Sequence, residues 1–99
     1  IIANLLNIFA FETIFVEAVA VGFTAGTIVN SGGAYAKKAL VTVESAQLRW
    51  RCDSNPTSTV GHLLQPGDVL IFIGSENIRN FKAIRTGSTN AKISVSYSL

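Results

Sequence analysis

AKISVSYSL, residues 91–99, sets the rhythm of the whole chain. Ala91, Ile93, Val95, Tyr97 and Leu99 alternate with Lys92, Ser94, Ser96 and Ser98. A period of two puts every apolar side chain on one face, the pattern of a half-buried β-strand. The same rhythm runs through 39–44, where Ala39, Val41 and Val43 oppose Leu40, Thr42 and Glu44. It holds again over 47–53, where Leu48, Trp50 and Cys52 oppose Gln47, Arg49, Arg51 and Asp53. These segments predict antiparallel strands that bury Val41, Val43, Leu48, Trp50, Ile93 and Val95. Ser45-Ala46, between the first two, is short enough for a tight hairpin.

Further strands follow from composition. The run 11–19 is rich in Phe, Ile, Val and Thr, and 20–29 reads as a second strand broken by Gly22 and Gly26. Asn30-Ser31-Gly32-Gly33 reads as a loop, and 53–65 as a long irregular one. Pro66-Gly67-Asp68 is a turn signal that leads into VLIFIG, 69–74. That run is apolar on both faces, so it predicts cover on both: Val69, Ile71 and Ile73 against one layer, Leu70 and Phe72 against another. Residues 75–80 read as a polar connection and 81–85 as another strand. Six or seven strands without helical crossovers indicate an all-β fold, an antiparallel, jelly-roll-like β-sandwich.

The opening stretch IIANLLNIFA is almost wholly apolar. It is far shorter than the ~20 residues of a membrane span, and no basic residue precedes it as in a secretory signal. We read it as an arm, 1–10, leading a single domain, 11–99. Its Ile1, Ile2, Leu5, Leu6, Ile8 and Phe9 are candidate interface residues that pack on a neighbouring subunit. With no Met in the chain, an upstream start or processing is expected.

The 99 residues suffice for one core. Hydrophobic residues make up 48% and charged residues 14%, against ~25% charged in an average soluble protein. So few charges coat a free monomer poorly, which points to burial against partners and to a closed homo-oligomer. The net charge of +2 is spread along the chain, which argues against a nucleic-acid footprint. Arg49 and Arg51, on the strand face opposite Trp50, are further interface candidates because a guanidinium fork pairs well with carboxylates and carbonyls.

Catalytic signals are weak. One Cys and one His, Cys52 and His62, are too few for a zinc site, and one Cys forms no internal disulfide. His62 has no evident orienting partner for a nucleophilic triad. The six acids sit at strand ends, turns and polar faces, and the glycines form no phosphate-binding motif. No catalytic residue, metal, cofactor or small-molecule substrate is expected.

Residues 38–97 carry a resemblance. ALVTVESAQLRWRCD, followed by NPTSTVGHLLQPGDVLIFIGSENIRNFKAIRTGSTNAKISVSY, resembles small structural proteins of tailed phages and prophages. Asp53-Ser54-Asn55 departs from that pattern where an Asp-Gly turn is expected, and the apolar arm has no counterpart in it. The resemblance implies a virion component made in the host cytoplasm: a capsid cement or decoration protein bound to the major capsid protein. It further implies a homotrimer at local threefold positions and a place on the capsid surface. Two alternatives remain open at this point. One is a tail, baseplate or head–tail neck accessory protein. The other is a carbohydrate-binding β-sandwich module, which needs an outward aromatic platform from Trp50, Tyr35 and Tyr97. Neither a nucleic acid nor a membrane is expected as partner.

Overall fold

The computed structural model describes residues 8–99. Its elements are β1 (Ile8–Val16), β2 (Lys38–Glu44), β3 (Leu48–Arg51), β4 (His62–Leu64), β5 (Val69–Ile73), α1 (Ser75–Asn80), β6 (Lys82–Arg85) and β7 (Ala91–Ser98). They form two antiparallel sheets, one of four strands in the order β1-β7-β2-β5 and one of three in the order β4-β3-β6. The fold is all-β apart from the short helix.

β7 lies in the interior of the larger sheet, paired with β1 along one edge and β2 along the other. Its alternation is the cleanest because it has one buried face and a paired strand on either side. Ala91, Ile93, Val95 and Tyr97 are buried, and so are Ala39, Val41 and Val43 of β2 and Ile14 and Val16 of β1. Leu48 of β3 and Ala83 of β6 join the same core cluster from the smaller sheet. Of the six side chains expected to be buried, five are. Trp50 is partly buried and packs on the core, edge-on to Phe72 at 4.9 Å.

Five local expectations change. Residues 20–29, read as a strand, form none. Residues 44–46 are not a hairpin, because β2 and β3 belong to different sheets. The Ala46 N–H donates to the Glu44 carbonyl at 2.9 Å, and Ser45 has φ 72°. This is a three-residue turn, tight enough to pass the chain from one sheet to the other. VLIFIG is not a central strand. β5 pairs with β2 alone among the described strands, and while Phe72 is buried, Val69 and Ile73 are 51% and 67% exposed. Residues 75–80 form α1, which starts after Gly74 at φ 105° and anchors itself through Ile78. One and a half turns are too few to print a helical period in the sequence. Lastly, β4 emerges from the stretch read as irregular loop.

The segment 17–37 contributes no strand. Its backbone meets the sheets at single points: Val21 bridges to Ala83, the Lys37 N–H donates to the Ser98 carbonyl at 2.9 Å and the Arg85 N–H to the Glu17 carbonyl at 3.0 Å, while Val29 bridges to Tyr35 within the segment. Its work is done by side chains instead. Phe23 stacks on Phe81 at 4.3 Å and meets Tyr97 and Phe72 edge-on at 5.5 and 6.2 Å. Ile28 and Ala36 are buried with them. Gly22 permits the approach, since a Cβ there would lie 2.7 Å from the Phe81 carbonyl oxygen. The segment is therefore an aromatic plug for the core.

A polar latch fastens the plug to the larger sheet. Glu12, in β1, accepts hydrogen bonds from the Thr24 N–H at 3.2 Å, from the Thr24 hydroxyl and from the Tyr97 hydroxyl. Burial and the Glu12 carboxylate push the Tyr97 hydroxyl far above the ordinary tyrosine range. Tyr97 therefore stays a neutral donor at any physiological pH.

Candidate interaction surface

The inner face of the four-stranded sheet is sealed by the core, so the register places the alternate residues on its outer face. Row by row across the strands these are Ile8, Ser98, Lys38 and Ile73; then Phe11, Ser96, Leu40 and Ile71; then Thr13, Ser94, Thr42 and Val69; then Phe15, Lys92 and Glu44, with Ser98 fully buried in spite of its register position. The face is patterned by column. β1 presents Phe11 and Phe15, 63% and 61% exposed, and Ile8 at 50%. β5 presents Val69 and Ile73 on the opposite edge. Between them β7 is a ladder of Ser and Lys. Large apolar side chains gathered at both edges of one sheet face make it the candidate interaction surface of the described residues.

β2 and β7 supply the face's charge. In β2, Lys38 stands at one end and Glu44 at the other, six residues and about 20 Å apart along the strand. Glu44 accepts a hydrogen bond from the Ser94 hydroxyl at 2.9 Å. Lys92 lies beside Glu44 in the cross-strand register.

The interface candidates fall into three groups. Ile1, Ile2, Leu5 and Leu6 lie outside the described residues, and so does most of the arm as drawn at 1–10. Ile8 and Phe9 belong to β1: Ile8 pairs with Ser98 of its own chain and is exposed on the outer face, while Phe9 sits at a register shift and packs on the core. Among the described residues, strand pairing with the same chain thus includes Ile8, inside the segment read as arm. Arg49 and Arg51 lie in the other sheet. Arg49 donates to the carbonyls of Ser58 and Gly61 at 3.2 and 2.9 Å. It thereby clamps the loop before β4, where Gly61 passes so close to Trp50, Arg49 and Pro56 that a Cβ would lie 3.1–3.2 Å from all three. Arg51 makes a bidentate pair with Asp53 at 2.7 and 2.8 Å. The Arg51 guanidinium holds the Asp53 carboxyl below the usual carboxylate range, and Asp53 in turn raises the pKa of Arg51. Both guanidinium groups thus already have partners within the chain.

Phe11, Phe15, Val69 and Ile73 were missed as surface residues. Their signal is ambiguous in the sequence. β1 and β5 each carry apolar residues on both faces, so the alternation that would separate inside from outside is absent.

A cleft of about 590 Å³ opens beside β3, lined by Trp50, Cys52, Asp53, His62 and Asn77 among others. It brings together Cys52, His62 and Asp53, and two of the three are already restrained. Asp53 is held by Arg51, and burial pushes the Cys52 thiol upward, away from the reactive thiolate. The Trp50 ring lies 4.7 Å from the His62 ring. No group of three potential metal ligands occurs among the described residues. The three aromatics considered for a carbohydrate platform do not meet on one surface. Trp50 packs on His62 and Phe72, Tyr97 is fully buried, and Tyr35 lies under the Arg79 guanidinium at 4.8 Å.

No helix among the described residues is long and apolar enough to cross a membrane. Comparison with known proteins found no matching family model, no matching curated protein and no matching solved structure.

Proposed function

We propose that this chain is a structural protein of a phage particle, of the cement or decoration kind, which binds neighbouring major capsid subunits on the capsid surface. It acts by binding rather than by turnover, and in many copies. The two sheets are read as a jelly-roll-like sandwich, a shape that offers broad flat faces for lattice contacts. One observation supports the reading above the others: the outer face of the larger sheet exposes Phe11, Phe15, Val69 and Ile73 on a chain with only 14% charged residues. Apolar area removed from water contributes ~25 cal/mol per Å² before the costs of association.

Mass-spectrometric copy counting on purified particles tests it. Cement proteins are expected at hundreds of copies per particle, and a tail, baseplate or neck protein at roughly six to twelve, from the symmetry of each structure. A low count shifts the reading to the tail or neck. Absence from particles produced by a host that expresses the chain overturns it.

A further inference from the structure

We propose that the free edge of β1 pairs with the β1 edge of a second copy, antiparallel, about a twofold axis beside Thr13. The pairing involves this edge alone and is independent of the virion reading. Of the four sheet edges, β6 is closed by its own chain, through Val21 and the Glu17 carbonyl, and β4 has only three residues. β5 has five residues and β1 has nine. Among the described residues β1 pairs with β7 alone, so one side of its backbone is open. Open edges are commonly blunted by Pro, Lys, a charge or a bulge. The stretch 10–16 of β1 has no Pro, no Lys and no break in register. Its one charge, Glu12, is engaged by Thr24 and Tyr97 of its own chain.

The occupant follows from the order of the side chains. On the outer face the strand reads Phe11, Thr13, Phe15, the same in both directions. Antiparallel pairing centred on Thr13 sets Phe11 of each copy against Phe15 of the other, and Thr13 against itself. On the inner face it sets Ala10 against Val16 and Glu12 against Ile14. Neighbouring registers lose this match. Centring on Glu12 opposes two carboxylates and sets Phe11 against Thr13. Centring on Ile14 sets Phe11 against Glu17, and centring on Phe11 leaves Phe15 past the end of the strand. Directly opposed side chains lie about 5 Å apart, where aromatic pairs attract and like charges repel. Rings that are 63% and 61% exposed in the single chain thus meet at the centre of a continuous sheet, four strands from each copy. A strand of another protein would need the same spacing of aromatics, whereas a second copy has it by identity. Residues 10–16 offer far fewer contacts than the about 20–30 residues a side of a standard interface, so the association is weak. It gives a dimer, in place of the trimer that the phage resemblance implies.

Sedimentation equilibrium of the full chain up to about 1 mM, a range that captures weak association, tests the pairing at its axis. Thr13→Lys and Thr13→Glu each oppose like charges across the twofold and should weaken the dimer roughly tenfold. Mixing the two variants opposes an ammonium and a carboxylate there and should restore association as a heterodimer. Thr13 is exposed, so both variants should keep the parent's circular dichroism spectrum. Ser96→Asp, on the same face but one strand in from the edge, should leave the dimer unchanged. In the unmodified chain, amide hydrogen exchange should slow with rising concentration in β1 and stay constant in β5. A monomer at about 1 mM, a dimer indifferent to both Thr13 variants, a mixture that fails to associate, or a dimer lost in Ser96→Asp would overturn the pairing. If the Thr13 variants unfold, hydrogen exchange decides, and β1 protection that ignores concentration overturns it. A folded monomer that still binds purified particles would sink the pairing and leave the virion reading standing. A twofold dimer absent from particles would do the opposite.

Discussion

The two faces of the four-stranded sheet are made by the same four strands and obey different rules. On the inner face Val16, Ala39, Val41, Val95 and Tyr97 are completely buried, and every strand contributes an apolar side chain. On the outer face the two interior strands present mainly Ser, Thr, Lys and Glu, with Leu40 the exception, while the two edge strands keep large apolar groups. The inner face shows what folding needs. The outer face shows what folding tolerates, so its apolar edges call for a cause other than folding.

The largest break in that comparison comes from placing a charge on each face of β7. Val95→Asp buries an unpaired carboxylate, costing several kcal/mol, and should leave no cooperative urea transition. Ser96→Asp, one residue along but facing outward, should shift stability by no more than about 0.5 kcal/mol. Equal losses at the two positions would mean that the outer face is also core.

The next effect separates the plug from the strands. Phe23→Ala removes the ring that stacks on Phe81, and should cost about 3 kcal/mol in urea unfolding although residue 23 lies in no strand. A change below about 1 kcal/mol would show that segment 17–37 merely covers the core.

Tyr97→Phe sharpens the picture at the rim of the inner face. It removes one hydrogen bond to Glu12 while the Thr24 bonds remain, so about 1 kcal/mol is expected at pH 7. Its pH dependence carries a sign. The folded-state pKa of Tyr97 is raised, so the stabilisation is complete below the unfolded tyrosine value of about 10 and falls as pH rises above it. The alkaline loss of stability should therefore be smaller in Tyr97→Phe than in the parent.

The smallest effect on stability is the most informative about function. Phe11→Ser and Phe15→Ser should each change unfolding free energy by no more than about 0.5 kcal/mol, because both rings are already mostly in water. Their effect should appear in self-association, measured by concentration-dependent light scattering. A loss of folding would place these rings in the domain's own core.

Much of the fold was legible in the sequence, most clearly in β7 and β2. Each has one buried and one open face, so a period of two translates directly into inside and outside. The pairing partners were not legible. Glu44, Ser45 and Ala46 look like a hairpin connection, but whether the chain folds back or crosses to another sheet depends on which surfaces are free to pair. β5 reads as a central strand because its composition records hydrophobicity and not neighbours. Its position at the edge, with Val69 and Ile73 in water, follows from the strand order. The role of Phe23 was hidden for a related reason: an aromatic plug works through contacts with Phe72, Phe81 and Tyr97, all distant in sequence, and needs no periodicity. So it was with the candidate surface. The sequence by itself determined an all-β, sparsely charged chain with alternating strands. Only the tertiary structure decided which apolar residues stay outside, because burial belongs to the packed whole, whereas alternation belongs to each strand alone.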